Sequence, residues 1–171
     1  GPKRKGKRIM TVKLWWSLCL ASAALGVGAA TSTVRGRYIR IDNVQVTDTG
    51  RIINLQEIQA YSKDGGLLYA PGLEMSRQDG TSNLAACIDS DTKNNAWCGS
   101  AGQNPWLVID YGKDVDISYI VITNRKEKEK QALISGAHIS LTADYAGKKV
   151  RWTAVFDGVY SDYTFKPTFV T

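Results

Sequence analysis

The side chains in this chain that could do chemistry are few and scattered. Outside the charged run RKEKEK (Arg125 to Lys130), carboxylates come close together in sequence only at Asp89 with Asp91 and at Asp114 with Asp116. Two carboxylates held near one another can share a proton or a hard cation, which is the chemistry of a general acid and base or of a calcium site. His138 is the only histidine, so no two-histidine constellation can form, and the chain has no nucleophile elbow, phosphate loop or HExxH helix. Its strand phase, with Ser140 and Thr142 and opposite Ala137, Ile139 and Leu141, turns the imidazole toward solvent. We read the chain as not an enzyme.

The three cysteines carry a separate signal. Cys19 lies in an apolar run, whereas Cys87 and Cys98 stand on either side of the polar loop IDSDTKNNAW. A bridge across so short a loop would stabilise by roughly 3 kcal/mol if the geometry permits. Two free, partly buried thiols are the alternative. Without a CxxC pair, a zinc site is not expected.

These residues need elements to hold them, and the pattern of those elements is β. YIRIDNVQV (Tyr38 to Val46), IINLQEIQAY (Ile52 to Tyr61), WLVIDY (Trp106 to Tyr111), ISYIVITN (Ile117 to Asn124), GAHISLT (Gly136 to Thr142), VRWTAVF (Val150 to Phe156) and Tyr163 to Val170 read as strands. Gly112, Lys113 and Asp114 separate two of them at a hairpin-like spacing. Arg77 to Gln103 is rich in Asn, Asp, Ser and Gly and reads as irregular. Short strands with frequent turn signals predict an antiparallel sandwich or barrel, with no amphipathic helix. RKEKEK reads as a solvated loop. There is no N-x-S/T sequon, so N-glycosylation is not predicted.

Ahead of the strands, residues 14–34 (LWWSLCLASAALGVGAATSTV) contain no ionisable acid or base and follow a basic tail, residues 1–13. As a helix the run would reach roughly 30 Å, the thickness of a bilayer's hydrocarbon core. A cleaved signal peptide, with small residues at Ala29 to Thr31, a retained signal anchor and a buried core helix all remain readings of it. We carry the anchor forward: a single-pass membrane protein with its N-terminus on the cytoplasmic side and the β domain, residues 35–171, across the membrane. Six of the 22 basic residues sit in the tail, so the rest of the chain is balanced against its 16 acidic residues. The net charge of +6 therefore belongs to the tail, and no nucleic-acid partner is expected for the domain.

The order RYIRI, NLQEIQAYSKDG, AACIDSDT, PWLVIDYG, IVITNR and ISGAHISL resembles the discoidin-like domains, which are related to coagulation factor type C modules and F-type lectins. Having RYIRI before NLQEIQAY looks most like forms from large DNA viruses. The resemblance implies an all-β, eight-stranded antiparallel jelly-roll sandwich without catalytic activity, whose loops bind sugars, lipids or proteins. It also implies structural roles for Trp106, filling the core, and Asp110, fixing a turn, and a ligand-facing role for Arg125, with Trp97 and Glu127 beside it. A structural calcium ion at Asp89, Asp91 and Asn94 is a further implication. The fucose motif of F-type lectins is incomplete here: His138 follows Arg125 instead of preceding it, Glu127 stands in place of Asp, and Leu133-Ile134-Ser135 precedes Gly136-Ala137 where related domains often carry Arg-Ile. The expected function is a membrane-anchored structural or assembly protein, such as a minor capsid or membrane-linking protein of a virion, with protein partners. A glycan-binding adhesion module is the alternative.

Overall fold

The computed structural model describes residues 32–44 and 51–168. Its ten strands are β1 (Val34–Asp42), β2 (Arg51–Tyr61), β3 (Leu67–Leu68), β4 (Gly72–Met75), β5 (Cys98–Gly102), β6 (Trp106–Ile117), β7 (Tyr119–Asn124), β8 (His138–Thr142), β9 (Val150–Val155) and β10 (Asp162–Phe165). One sheet runs β4-β6-β1-β8-β9. The other runs β10-β7-β2-β3, with β5 also paired to β2. The pairings between these strands are all antiparallel.

Alternation along the strands builds the core. Ile39 and Ile41 of β1, Leu107 and Ile109 of β6, and Ile139 and Leu141 of β8 turn inward from the first sheet. Ile53, Leu55 and Ile58 of β2 and Ile120 and Ile122 of β7 meet them from the second. Each large aliphatic side chain buried in this way contributes about 1.5–3 kcal/mol. Phe156 closes the open side, with its ring edge-on to Tyr163 and Phe165.

Several expectations are corrected. The sandwich has ten strands among the described residues, not eight, because the two-residue β3 and the small-residue strand β5 carry no alternation that a sequence pattern detects. Cys98–Gly102 is therefore a strand inside the segment expected to be irregular. Gly112 to Asp114 make no hairpin. β6 runs on to Ile117: Tyr111 to Asp114 bulge out of register opposite the single residue Arg37, Val115 to Ile117 then pair with Gly36 to Val34 of β1, and the chain crosses to the other sheet at Ser118. Trp106 lies outside the core cluster: β6 points Leu107, Ile109 and Tyr111 inward, so Trp106 falls on the outer face against Arg40 and Tyr145. The RKEKEK run leads into one helical turn, Lys128–Gln131, with no buried residue.

The basic tail and residues 14–31 of the apolar run lie outside the described residues. The last residue of that run is corrected: Val34 belongs to β1, fully buried and paired with Ile117, so the domain begins within the span as first drawn. Among the described residues no helix is long and apolar enough to cross a membrane.

Candidate functional site

Several connections between the two sheets gather at one end of the sandwich, and buried amides bind them there. Asn43, after β1, donates its N–H to Pro105 O at 3.0 Å and its Nδ2 to Ile52 O and Leu133 O, each at 3.0 Å. Asn124, ending β7, donates Nδ2 to Gln131 O at 3.0 Å and Tyr160 O at 2.9 Å, and its N–H to Ser161 O. Gln56 donates Nε2 to Thr92 O at 3.0 Å and also to Asn94 O. All three side chains are almost fully buried. A buried amide left without partners costs about 1–3 kcal/mol, so each holds its loops in register. Val44, Val159 and Tyr160 are exposed on these connections.

Arg125 is the centre of this end. Its Nε and Nη2 fork onto the two oxygens of Glu127 at 2.8 and 2.7 Å, and Nη1 donates to Asn54 Oδ1 at 2.9 Å. The guanidinium lies 4.3 Å from the centroid of Trp97. Its side chain is only 11% exposed, against 45% for Glu127. The arginine holds the Glu127 carboxyl well below its ordinary range, at about 2. Gly99 makes room for the stack, since a Cβ there would stand 2.7 Å from the Trp97 ring and 2.8 Å from Ile53 O. The expected ligand-facing trio, Trp97, Arg125 and Glu127, is thus brought together, with the arginine occupied by its own chain. Lys126 is held as well, donating Nζ to Lys93 O at 2.6 Å and Asn94 O at 2.7 Å.

The Asp89 loop divides its carboxylates between two tasks. Asp91 Oδ1 accepts the N–H groups of Lys93 and Asn94, and Asn94 Oδ1 accepts that of Ala96, so these two shape the loop backbone. Asp89 Oδ1 accepts the Asp91 N–H. Asp89 also stands beside Glu57, a residue of β2 that the sequence reading did not single out. Glu57 is 1% exposed, and neither of its carboxylate oxygens has a hydrogen bond of ordinary geometry among the described residues. Burial, then the neighbouring Asp89, pushes its carboxyl up to about 8, while the Ile58 and Ser90 amides act weakly the other way. A buried, unpartnered carboxylate against a second one, with only hard oxygen donors, suits calcium better than the original trio does. No group of three or more His, Cys, Asp or Glu side chains able to hold a metal occurs among the described residues.

The signal that could have found Glu57 is its place inside an apolar strand, where a carboxylate needs a partner. Cys87 and Cys98 are bridged, with Cα atoms 5.5 Å apart, and tie the start of this loop to β5. Asp110 accepts the Gly112 N–H at 2.7 Å, shaping the bend as expected, and also accepts two hydrogen bonds from Arg37. His138 is exposed. Compared with known proteins, residues 73–168 match the family model of the F5/8 type C domain. No curated protein and no solved structure gives a significant match.

Proposed function

The chain belongs to the F5/8 type C domain family, whose model covers more than half of it, and from that premise we propose that it is a docking module holding a partner protein at a membrane. Domains of this family are typically binding modules without catalysis, for glycans, lipids or proteins. One observation favours a protein over a sugar at the loop end: Arg125 is already engaged by Glu127, Asn54 and Trp97. A guanidinium so engaged braces a surface and offers no open fork to sugar hydroxyls. A rigid loop surface with Val44, Val159 and Tyr160 exposed suits a protein interface, which gains from pre-ordering. The membrane tether is the apolar run from residue 14 that ends ahead of β1, and the resemblance to viral forms suggests a minor capsid or membrane-linking role in a virion.

Calcium is part of the proposal. Glu57 and Asp89 would hold the ion, which would neutralise two carboxylates and fasten the Asp89 loop to β2. Chelation should then lower the melting temperature of the full-length protein and added calcium restore it. A melting curve indifferent to both removes calcium from the account.

Fractionation and a glycan array test the main reading together. The full-length protein should leave membranes only with detergent, and no sugar should bind in a manner abolished by Arg125→Ala. Release by salt alone, or specific sugar binding that Arg125→Ala abolishes, would overturn it.

A further inference from the structure

One edge of the sandwich is left open for pairing. β9 ends the sheet β4-β6-β1-β8-β9 with six residues, whereas the other strands that end the two sheets, β3, β4 and β10, have two to four. It holds no proline and no inward-pointing charge, the usual guards of a sheet edge. Its one bulge bends only the start: Val150 and Trp152 pair with the adjacent residues Thr142 and Leu141, which leaves Arg151 as the extra residue. Farther along, Phe156 donates its N–H to Ala137 O at 2.9 Å. Alternation then turns the backbone groups of Ala154 to β8 as well, and those of Thr153 and Val155 to the free side.

The two ends of this edge carry opposite charges that their own chain does not pair. Among the described residues Arg151 makes no ion pair, and neither does Asp157, just past the end of β9. Asp157 borders an open recess of about 370 Å³ between β9 and β10, together with Val155, Tyr160, Asp162 and Phe165. Asp162 accepts a hydrogen bond from the Ser161 hydroxyl at 2.9 Å and likewise has no basic partner. Two carboxylates beside aromatic rings suit a cation. Arg151 of the same chain cannot supply it, because six residues of strand hold it about 20 Å from Asp157. An antiparallel second copy can.

We propose that β9 pairs antiparallel with β9 of a second copy, centred on Ala154. In that register Thr153 of each copy exchanges backbone hydrogen bonds with Val155 of the other, and Arg151 of each meets Asp157 at the other's recess. A strand that offers a cation at one end and receives one at the other is self-complementary, as a twofold interface requires. The recess shares Tyr160 with the loop end, but Thr153 and Ala154 lie outside it. Antiparallel pairing points the two starts of β1 in opposite directions, so tethered copies would join two facing membranes. That consequence rests on the tether proposed above. The pairing does not, and it is tested in detergent, where no membrane constrains orientation.

The full-length protein carrying Cys19→Ser is the background. Ala154→Cys should give a disulfide-linked dimer on mild oxidation, since residues facing each other in a non-hydrogen-bonded pair have Cα atoms about 4.5 Å apart. Val150→Cys, which would face Gly158 and not itself, should not. In sedimentation equilibrium the protein should dimerise, and Arg151→Glu or Asp157→Arg should each weaken the dimer at least about tenfold by setting like charges together. Combining the two substitutions should restore it. Melting curves establish that the variants fold, and the Ala154→Cys arm stands without the charge variants. A monomer at about 0.1 mM, where even a weak contact dimerises, would overturn the proposal. So would equal disulfide yields at 154 and 150, or a folded double variant no better than the singles.

Discussion

Arg40, on β1, and Arg125, just beyond β7, each fork onto a carboxylate two residues along the chain and lie over a tryptophan, at 5.1 Å for Trp106 and 4.3 Å for Trp97. Their surroundings differ. Arg40 and Asp42 share one face of a regular strand, and the clasp secures a single loop: Tyr145 sits edge-on to Trp106 and Tyr38, its hydroxyl donates to Glu74, and Arg40 reaches Tyr145 O. Gly147 permits this closeness, since a Cβ there would come within 2.8 Å of Arg40 Cδ at a φ of +72° that favours glycine. Arg125 instead stands where several connections meet, bonded to Asn54 beneath it, with Glu127 more exposed than Asp42. An arginine stacked on a tryptophan is thus no mark of a ligand site by itself. The convergence of buried amides around it distinguishes the loop end.

The largest effect should come from removing the brace that only the loop end has. Replacing Cys87 and Cys98 together by serine should cost roughly 3 kcal/mol in denaturant unfolding, with the Arg40 clasp left intact. Next, Arg40→Met strands the partly buried Asp42 and should cost about 2 kcal/mol by the same measurement, as expected for hydrogen bonds to a charged group. Arg125→Met should cost less, about 1 kcal/mol, because Glu127 can turn to water. Equal losses from the two arginines would erase the distinction drawn between them.

Acid should give the smallest and most selective effect. Because Glu127 has a folded pKa of about 2, below its ordinary 4.5, its pairing contributes stability that is fully present above about 4.5 and lost as pH falls toward 2. The Glu127 carboxyl carbon, followed by NMR, should titrate near 2 in the wild type and return toward 4.5 in Arg125→Met.

Much of the fold was legible because β1, β2, β8 and β9 write their alternation in large side chains. The misreadings have physical causes. Gly112 to Asp114 have turn composition and do leave the register as a bulge of β6, yet β1 takes up Val115 to Ile117 beyond them so that no hairpin forms, and a pairing partner is not encoded locally. The resemblance implies a core role for Trp106, although the parity of Leu107, Ile109 and Tyr111 places it outside. At the candidate site, Trp97, Arg125 and Glu127 were identifiable as a group. That Asn54 would engage the arginine depends on contacts 71 residues apart. Glu57 was hidden because the bulge between Leu55 and Glu57 breaks the strand phase where its burial is decided.

Site-specific photo-crosslinking tests the docking account most directly. A photoreactive residue at position 159, on the exposed loop end, is compared in native membranes or particles with one at position 63, in the turn that follows β2 at the opposite end. The account predicts one discrete protein adduct from position 159 and none from position 63. Adducts of equal yield from both positions, or only lipid adducts from position 159, would contradict it.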